Sequence, residues 1–332
     1  MQKKTVLFIN GIPDSRMVEL IKIEKDGSTV IQQSGSANIF QYITTQRFHT
    51  SILTFDTNVK QEVPGLRFDA VFNQISDPDT HQTALLKTEK MYHSLPMGVP
   101  IFNLPEHIRH TSRDIVCDIL EDIKGLHVPK TVRIKPRSPD DIYDAIAKNG
   151  FSFPVIFRKA GDHGGVSTIR IDDENERFYA FALDGSDCYL TQYVDYANKG
   201  IYRKLRLVIV DGEVYLRHVI YSNKWMIHSE SREFMHKHTK YQTMEKKLIQ
   251  SFKRDIKPHI QPVITEIHKR LKLDYFGIDC HIDENFSLLV FEINANMNVL
   301  INTASDKKNI WNKPIELIIE AIEKMVEKRL YL

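Results

Sequence analysis

Two acidic residues and an asparagine near the C-terminal end have the types and spacing that hold a hard metal ion. Phe276–Ile282 and Leu288–Ile293 read as strands joined by Asp283-Glu284-Asn285-Phe286. Side chains alternate along a strand, so Val290, Glu292 and Asn294 share one face. With Ile282 set opposite Ser287, Asp279 faces Val290 and Glu292 is its diagonal neighbour, about 7–8 Å away. Carboxylates so placed do not touch, but a cation bridges them, and Asn294 adds an amide oxygen. Mg²⁺ prefers oxygen ligands and keeps places for phosphate and water, with Mn²⁺ as an alternative. A slip of one residue would turn Asp279 to the opposite face. The other reading is an acidic face turned to water. Against it stands Asn294-Ala295-Asn296-Met297-Asn298, a sequence that a solvent-facing strand end does not need.

A second group of residues has the chemistry of anion binding. Leu205–Val210 and Val214–Val219 flank Asp211-Gly212, a strong two-residue hairpin signal. With Val210 opposite Glu213, Arg206 faces Arg217. Like charges placed opposite each other are unfavourable unless an anion lies between them, and guanidinium geometry suits phosphate or carboxylate. Two solvated arginines that splay apart are the alternative. Ala160-Gly161-Asp162-His163-Gly164-Gly165-Val166-Ser167 joins two further strands; its glycines allow close backbone approach to phosphate oxygens, and Arg158 and Lys159 precede it. It is not a Walker A sequence, and His163 reads as a polar turn residue. Tyr189-Leu190-Thr191-Gln192-Tyr193-Val194-Asp195 reads as a strand whose edge could meet a flat heterocycle.

These pieces need elements to hold them. Short apolar runs at 5–10, Ser51–Phe55, Ala70–Phe72 and Pro100–Phe102, spaced by helix-length stretches, predict an open α/β lobe. No GxGxxG turn follows the first strand, so a dinucleotide fold has little support. Thr111 is the expected cap of a helix with Asp114 three residues on, ending at Gly125. A second helix is expected from Ser138-Pro139, with Asp141 completing a capping box, to Gly150. Phe153–Phe157 and Ser167–Ile171 read as a hairpin around the glycine turn. The stretch 243–271 is helical, broken near Pro258 and Pro262, and a C-terminal helix carries Ile315, Ile318, Ile319, Ile322, Met325 and Val326 on one face.

The 332 residues exceed what one core usually covers, so two or three subdomains are expected. A formal charge of +2 argues against a protein that coats nucleic acid. Cys117, Cys188 and Cys280 lie far apart without a CxxC pair, which offers neither a zinc site nor a disulfide framework and fits a reducing cytosol. The first apolar run, Val6 to Ile9, is too short for a signal peptide, and no window approaches a membrane span. A cytoplasmic protein without a membrane partner is the expectation, and a homodimer is the default assembly.

In their order these segments resemble the ATP-grasp superfamily, nearest to the branch of glutathione synthetase and the ribosomal-protein glutamate ligases. The matching text is Phe153–Arg158 with Gly164-Gly165, Gln192-Tyr193-Val194, Arg203-Lys204-Leu205-Arg206 with Asp211-Gly212, Phe276-Gly277-Ile278-Asp279 and Phe291-Glu292-Ile293-Asn294, within about residues 100–305. The resemblance implies a mixed α/β (α+β) architecture: an N-terminal lobe (1–105), a lid subdomain (106–195) and an antiparallel-sheet subdomain (196–332), with ATP between the last two. It implies Gln192, Tyr193 and Val194 at the adenine edge, mainly through backbone groups. The glycine turn, Gly164, Gly165 and Ser167 included, would close over the triphosphate. Mg²⁺ would sit on Asp279, Glu292 and Asn294, with Arg206 at the transferred phosphate and Arg217 beside it. Arg113 and Arg158, the latter next to Lys159, stand where the family usually has lysines; charge is kept but geometry changes. The implied reaction forms an acyl-phosphate from a carboxylate, which an amine then attacks, with an amino acid or peptide as substrate. A kinase on the same scaffold and a non-catalytic nucleotide-binding regulator are the alternatives. Lys224, Trp225, His228 and Arg232 are candidates for the acceptor pocket.

Overall fold

A computed structural model describes residues 3–331 apart from 24, 28, 33, 34, 36, 45, 58–66, 163, 164, 166, 229 and 302–308. The first sheet is parallel, in the order β4 (Phe48–Phe55), β1 (Lys4–Gly11), β5 (Ala70–Asn73), β6 (Ile101–Phe102). Val6, Leu7, Phe8 and Ile9 are all fully buried, because a parallel strand covered on both faces has no polar side. A small hairpin, β2 (Glu19–Ile23) and β3 (Thr29–Gln32), interrupts the lobe. Helices α1 (Gln82–His93), α2 (Pro105–Arg109) and α3 (Arg113–Leu120) follow. Ser112 rather than Thr111 stands at the start of α3; the Thr111 hydroxyl donates instead to the Ile108 carbonyl at 2.8 Å. The helix ends at Leu120, since Glu121 is already extended, well short of Gly125.

The second sheet is antiparallel, in the order β10 (Thr168–Ile171), β9 (Val155–Lys159), β11 (Cys188–Gln192), β8 (Thr131–Ile134). Helix α4 (Pro139–Lys148) covers it. The helix starts with the expected capping box of Ser138 and Asp141 and buries Ile142 and Ile146 against Phe157, Ile171, Phe178 and Leu190. Strand β9 runs on through Arg158 and Lys159, beyond the expected Phe157, because β11 pairs with both.

The third sheet has the order β13 (Glu213–Ser222), β12 (Tyr202–Val210), β14 (Tyr275–Ile282), β15 (Leu288–Ala295), β7 (Leu126–His127). Around it lie α5 (Ser231–Lys237), α6 (Thr239–Asp255), α7 (Lys257–Leu271) and α8 (Asn312–Leu330). The helical stretch breaks at Ile256, so Pro258 falls in the first turn of α7, while Pro262 stays inside that helix. On β12 the residues Leu205, Leu207 and Ile209 pack with Ile260, Ile264 and Ile267 of α7, and Val208 and Val210 pack with Ile318 and Ile322 of α8. Alternation therefore puts Lys204 and Arg206 on the α8 side, beyond the end of its apolar cover.

Two bulges set which side chains share that face. Ile282 pairs with Leu288, one residue away from the expected Ser287, and this alone would turn Asp279 from Glu292. Phe291 is the extra residue that compensates: Cys280 pairs with Val290, then Asp279 with Glu292 directly. The second bulge corrects the basic hairpin. Leu207 pairs with Leu216 but Arg206 with His218, so Arg217 is the extra residue and does not face Arg206.

Gly277 on β14, paired with Asn294 on β15, is tied to the packing behind this face. A Cβ added there would lie against the Met297 sulfur and 2.7 Å from the Met297 Cβ. Gly277→Ala should therefore destabilise the protein by about 1–3 kcal/mol, read as a lower denaturant midpoint at unchanged slope. An unchanged midpoint would contradict the packing.

Candidate active site

A cavity of about 660 Å³ lies between the second and third sheets, walled by Ile156, Arg158 and Thr191 on one side and Lys204, Arg206, Asp279 and Glu292 on the other. Asp279 is 2% exposed. Its Oδ1 accepts from Arg206 Nε at 2.7 Å, and its Oδ2 accepts from Arg206 Nη2 at 2.8 Å and Lys204 Nζ at 2.9 Å. Across the strand pair, Glu292 Oε2 lies 3.1 Å from Arg113 Nη2, and its Oε1 accepts from the Asn294 amide at 2.7 Å. Arg113 is itself fixed by donation to the Phe291 carbonyl at 2.7 Å.

Burial would raise both carboxyls, but neighbouring cations outweigh it. Arg206 and Lys204 hold Asp279 far below the usual range, and Arg113 and Arg158 hold Glu292 at about 2. Both are ionised at neutral pH. A lowered folded value means that the stability from Glu292 is present above its ordinary 4.5 and is lost as pH falls towards about 2. Unfolding followed down this window should show wild type losing more stability than Glu292→Gln. Parallel losses would refute the ionic role.

The cations differ in how well they are matched. Asp279 holds the Arg206 guanidinium above its ordinary value against the opposing effect of burial. Burial and the neighbouring Arg113 lower Arg158 to about 10; its Nη2 donates to the Asp162 carbonyl and its buried Nε has no partner among the described residues. Burial and Arg232 likewise lower Arg217 to about 10. Beside the second sheet, Gly165 has φ +78° and lies so close to the His228 ring that a Cβ would collide with it. Burial, with Lys204 next, lowers the His228 imidazole.

A profile of the RimK-like ATP-grasp domain matches residues 117–318. The chain belongs to this family. The matched span contains Arg158, Arg206, Asp279, Glu292 and Asn294, whereas Arg113 precedes it. The ATP-grasp architecture is seen across the whole chain. D-alanyl-alanine synthetase A from Vibrio cholerae O1 biovar eltor is 13% identical with a TM-score of 0.57, covering 100% of both chains. The VanG D-Ala:D-Ser ligase from Enterococcus faecalis is 14% identical with a TM-score of 0.56, covering 99% of this chain and 100% of that one. The D-alanine–D-alanine ligase from Bacillus anthracis complexed with ATP is 12% identical with a TM-score of 0.53, covering 98% and 96%. At these identities the likeness is one of fold. No curated protein sequence matches the chain.

Within the ATP-grasp frame, the expected site residues fall into three groups. Arg113, Arg158, Gly165, Gln192, Tyr193, Val194, Arg206, Arg217, Asp279 and Glu292 line the main cavity. Asn294 opens instead to a small adjoining recess of about 30 Å³, which it shares with Arg113, Arg158 and Glu292. Lys159 is exposed on the other side of β9 from Arg158, as strand alternation requires. Ser167 turns its hydroxyl to the Lys159 N–H at 3.2 Å, and Gly164 lies outside the described residues. The Gln192 side chain is also committed elsewhere: its amide donates to the Ser152 and Pro154 carbonyls at 2.8 and 3.1 Å, and its backbone N–H donates to the Lys130 carbonyl at 2.9 Å.

Lys204 lies within the matched segment Arg203–Arg206 but was assigned no role from sequence. It stands two positions before Arg206, so alternation alone would have placed it on the same face. Trp225, His228 and Arg232 line the cavity, whereas Lys224 is exposed outside it. Tyr196 was also not named from sequence. Tyr196 packs on Phe291 with ring centres 4.7 Å apart and donates to the Trp225 carbonyl at 2.9 Å. Tyr193 meets the Trp225 ring edge-on at 5.7 Å.

Proposed function

We propose that this ATP-grasp chain is an ATP-dependent carboxylate–amine ligase acting through an acyl-phosphate. The observation that carries this is the directly paired Asp279 and Glu292 within a cavity ringed by Arg113, Arg158, Lys204 and Arg206. Phosphoryl transfer asks little covalent chemistry of a protein; it requires alignment and neutralisation of spreading negative charge. Four cations in a sheltered cavity suit that task, and charge-assisted hydrogen bonds to phosphate oxygens are their strongest use.

Two ionised carboxylates on one face fit a hard divalent cation, and the Asn294 amide oxygen accepts no hydrogen bond among the described residues. No group of three or more His, Cys, Asp or Glu side chains suited to a metal occurs among those residues, so the fit rests on this trio. Asp279, Glu292 and Asn294 would hold Mg²⁺ or Mn²⁺. When bound, the ion neutralises phosphate charge and orients the oxygens to which it is ligated.

The chain's own groups supply the rest. The wall of Tyr193, Tyr196 and Trp225 offers flat apolar surface for a nucleobase. Arg206, held by a two-point contact to Asp279, presents a fixed guanidinium at the phosphate end, and Arg158 faces it from the lid sheet. Gly165 against His228 narrows the opening and limits water that would hydrolyse an acyl-phosphate. Incubation of purified protein with ATP, Mg²⁺ and panels of amino acids and short peptides tests the reading. Free phosphate with an amide product is expected. A stable phosphorylated product would favour a kinase, and ATP binding without turnover across the panels would favour the regulator.

A further inference from the structure

The bulge in β13 places a cation that phosphoryl transfer does not use. Arg217 is only 7% exposed and lines the cavity. Its Nε donates to the Val299 carbonyl at 2.6 Å and one terminal nitrogen donates to the Ile301 carbonyl at 3.0 Å. The other terminal nitrogen, Nη1, is buried without a partner, and the guanidinium forms no ion pair among the described residues. Beside it, the Trp311 ring lies between two guanidiniums, 6.0 Å from Arg217 and 4.7 Å from Arg232. The nearby carboxylate of Glu245 is already engaged by Arg232 at 2.6 Å, Trp311 Nε1 at 3.0 Å and the Val219 N–H at 3.1 Å. The adjacent His218, paired with Arg206, also has a buried ring nitrogen without a partner among the described residues.

A guanidinium fixed by two backbone carbonyls, buried and left with an unused donor, is matched when an anion with planar oxygens enters. Asp279 on β14 and Glu292 on β15 line the same cavity and repel anions other than those that cations escort. We propose that Arg217, with His218 and Arg232 beside it, binds a carboxylate that the reaction does not consume: the free carboxylate of an amino-acid or short-peptide substrate. Trp311 supplies an apolar surface for the carbon atoms next to that carboxylate. The inference rests on the ligase reading and assigns Arg217 to substrate recognition rather than to the transferred phosphate.

The test compares the proteinogenic amino acids, D-alanine and a dipeptide set, each as free acid and as carboxamide, on wild type, Arg217→Met and Arg217→Lys. Circular dichroism establishes that each variant is folded. The expected result is phosphate release with one or more free acids and not with the matching carboxamides. Arg217→Met should raise KM for the active acid about 100-fold while kcat and KM for ATP move little, and Arg217→Lys should fall between. Equal activity on acid and carboxamide, or an unchanged KM in Arg217→Met, overturns the assignment. Thermal shift with the same panels, in the presence of ADP, separates this from failure of the ligase reading. Free acids that stabilise wild type and not Arg217→Met support the anchor even without turnover. Equal stabilisation of both proteins, or of neither, overturns it.

Discussion

Glu292→Gln is expected to lower ATP-dependent phosphate release by roughly 10²- to 10³-fold with the fold retained. The amide keeps the volume and the position across from Asp279, so packing on β15 changes little. What is lost is the charge that lies 3.1 Å from Arg113 and that Arg113 and Arg158 stabilise, with the carboxyl lowered to about 2. Two guanidiniums then face each other without their counter-ion, and a hard cation has one carboxylate in place of two. Steady-state release at saturating ATP, alongside a thermal melt, measures both halves of the statement. Near-normal ATP consumption by a folded Glu292→Gln would end the assignment of the acidic pair.

The next largest effect is expected at Arg206. Its Nε and Nη2 contact the two oxygens of Asp279 at 2.7 and 2.8 Å, a planar fork that lysine cannot copy. Arg206→Lys should therefore lose about 100-fold in kcat, nearly as much as Arg206→Ala, although the charge is kept. Asp279 retains Lys204 at 2.9 Å, so the carboxylate is not left wholly unpaired and the protein should still fold. Recovery of most activity by lysine would mean that only charge matters there, and the two-point geometry would have no catalytic role.

Local periodicity made part of this molecule legible. Strands of the first sheet, the capped α4 and the helical faces of α7 and α8 come from apolar spacing and cap residues that act within a few positions. The ATP-grasp architecture was readable because its segments keep their order along the chain. Alternation also brought Asp279 and Glu292 to one face, although by a route the strands do not take. A bulge is one residue inserted into a ladder, and nothing in Cys280–Ile282 or Leu288–Phe291 announces where the extra residue sits. The same blindness paired Arg206 with Arg217 in place of His218. Contacts between distant segments were out of reach altogether: Arg113 with Glu292, Arg232 with Glu245, and Trp311 between two arginines depend on how α3, α5 and the start of α8 dock.

The paired bulges bear on how such a chain can diverge. An insertion or deletion of one residue at Phe291 or Arg217 would exchange inward for outward side chains over the rest of the strand, so length change there is closed to gradual drift. Point replacement is open. A descendant lineage could retune what it accepts by altering the residue that protrudes at the β13 irregularity, while the acidic pair on β14 and β15 keeps its alignment.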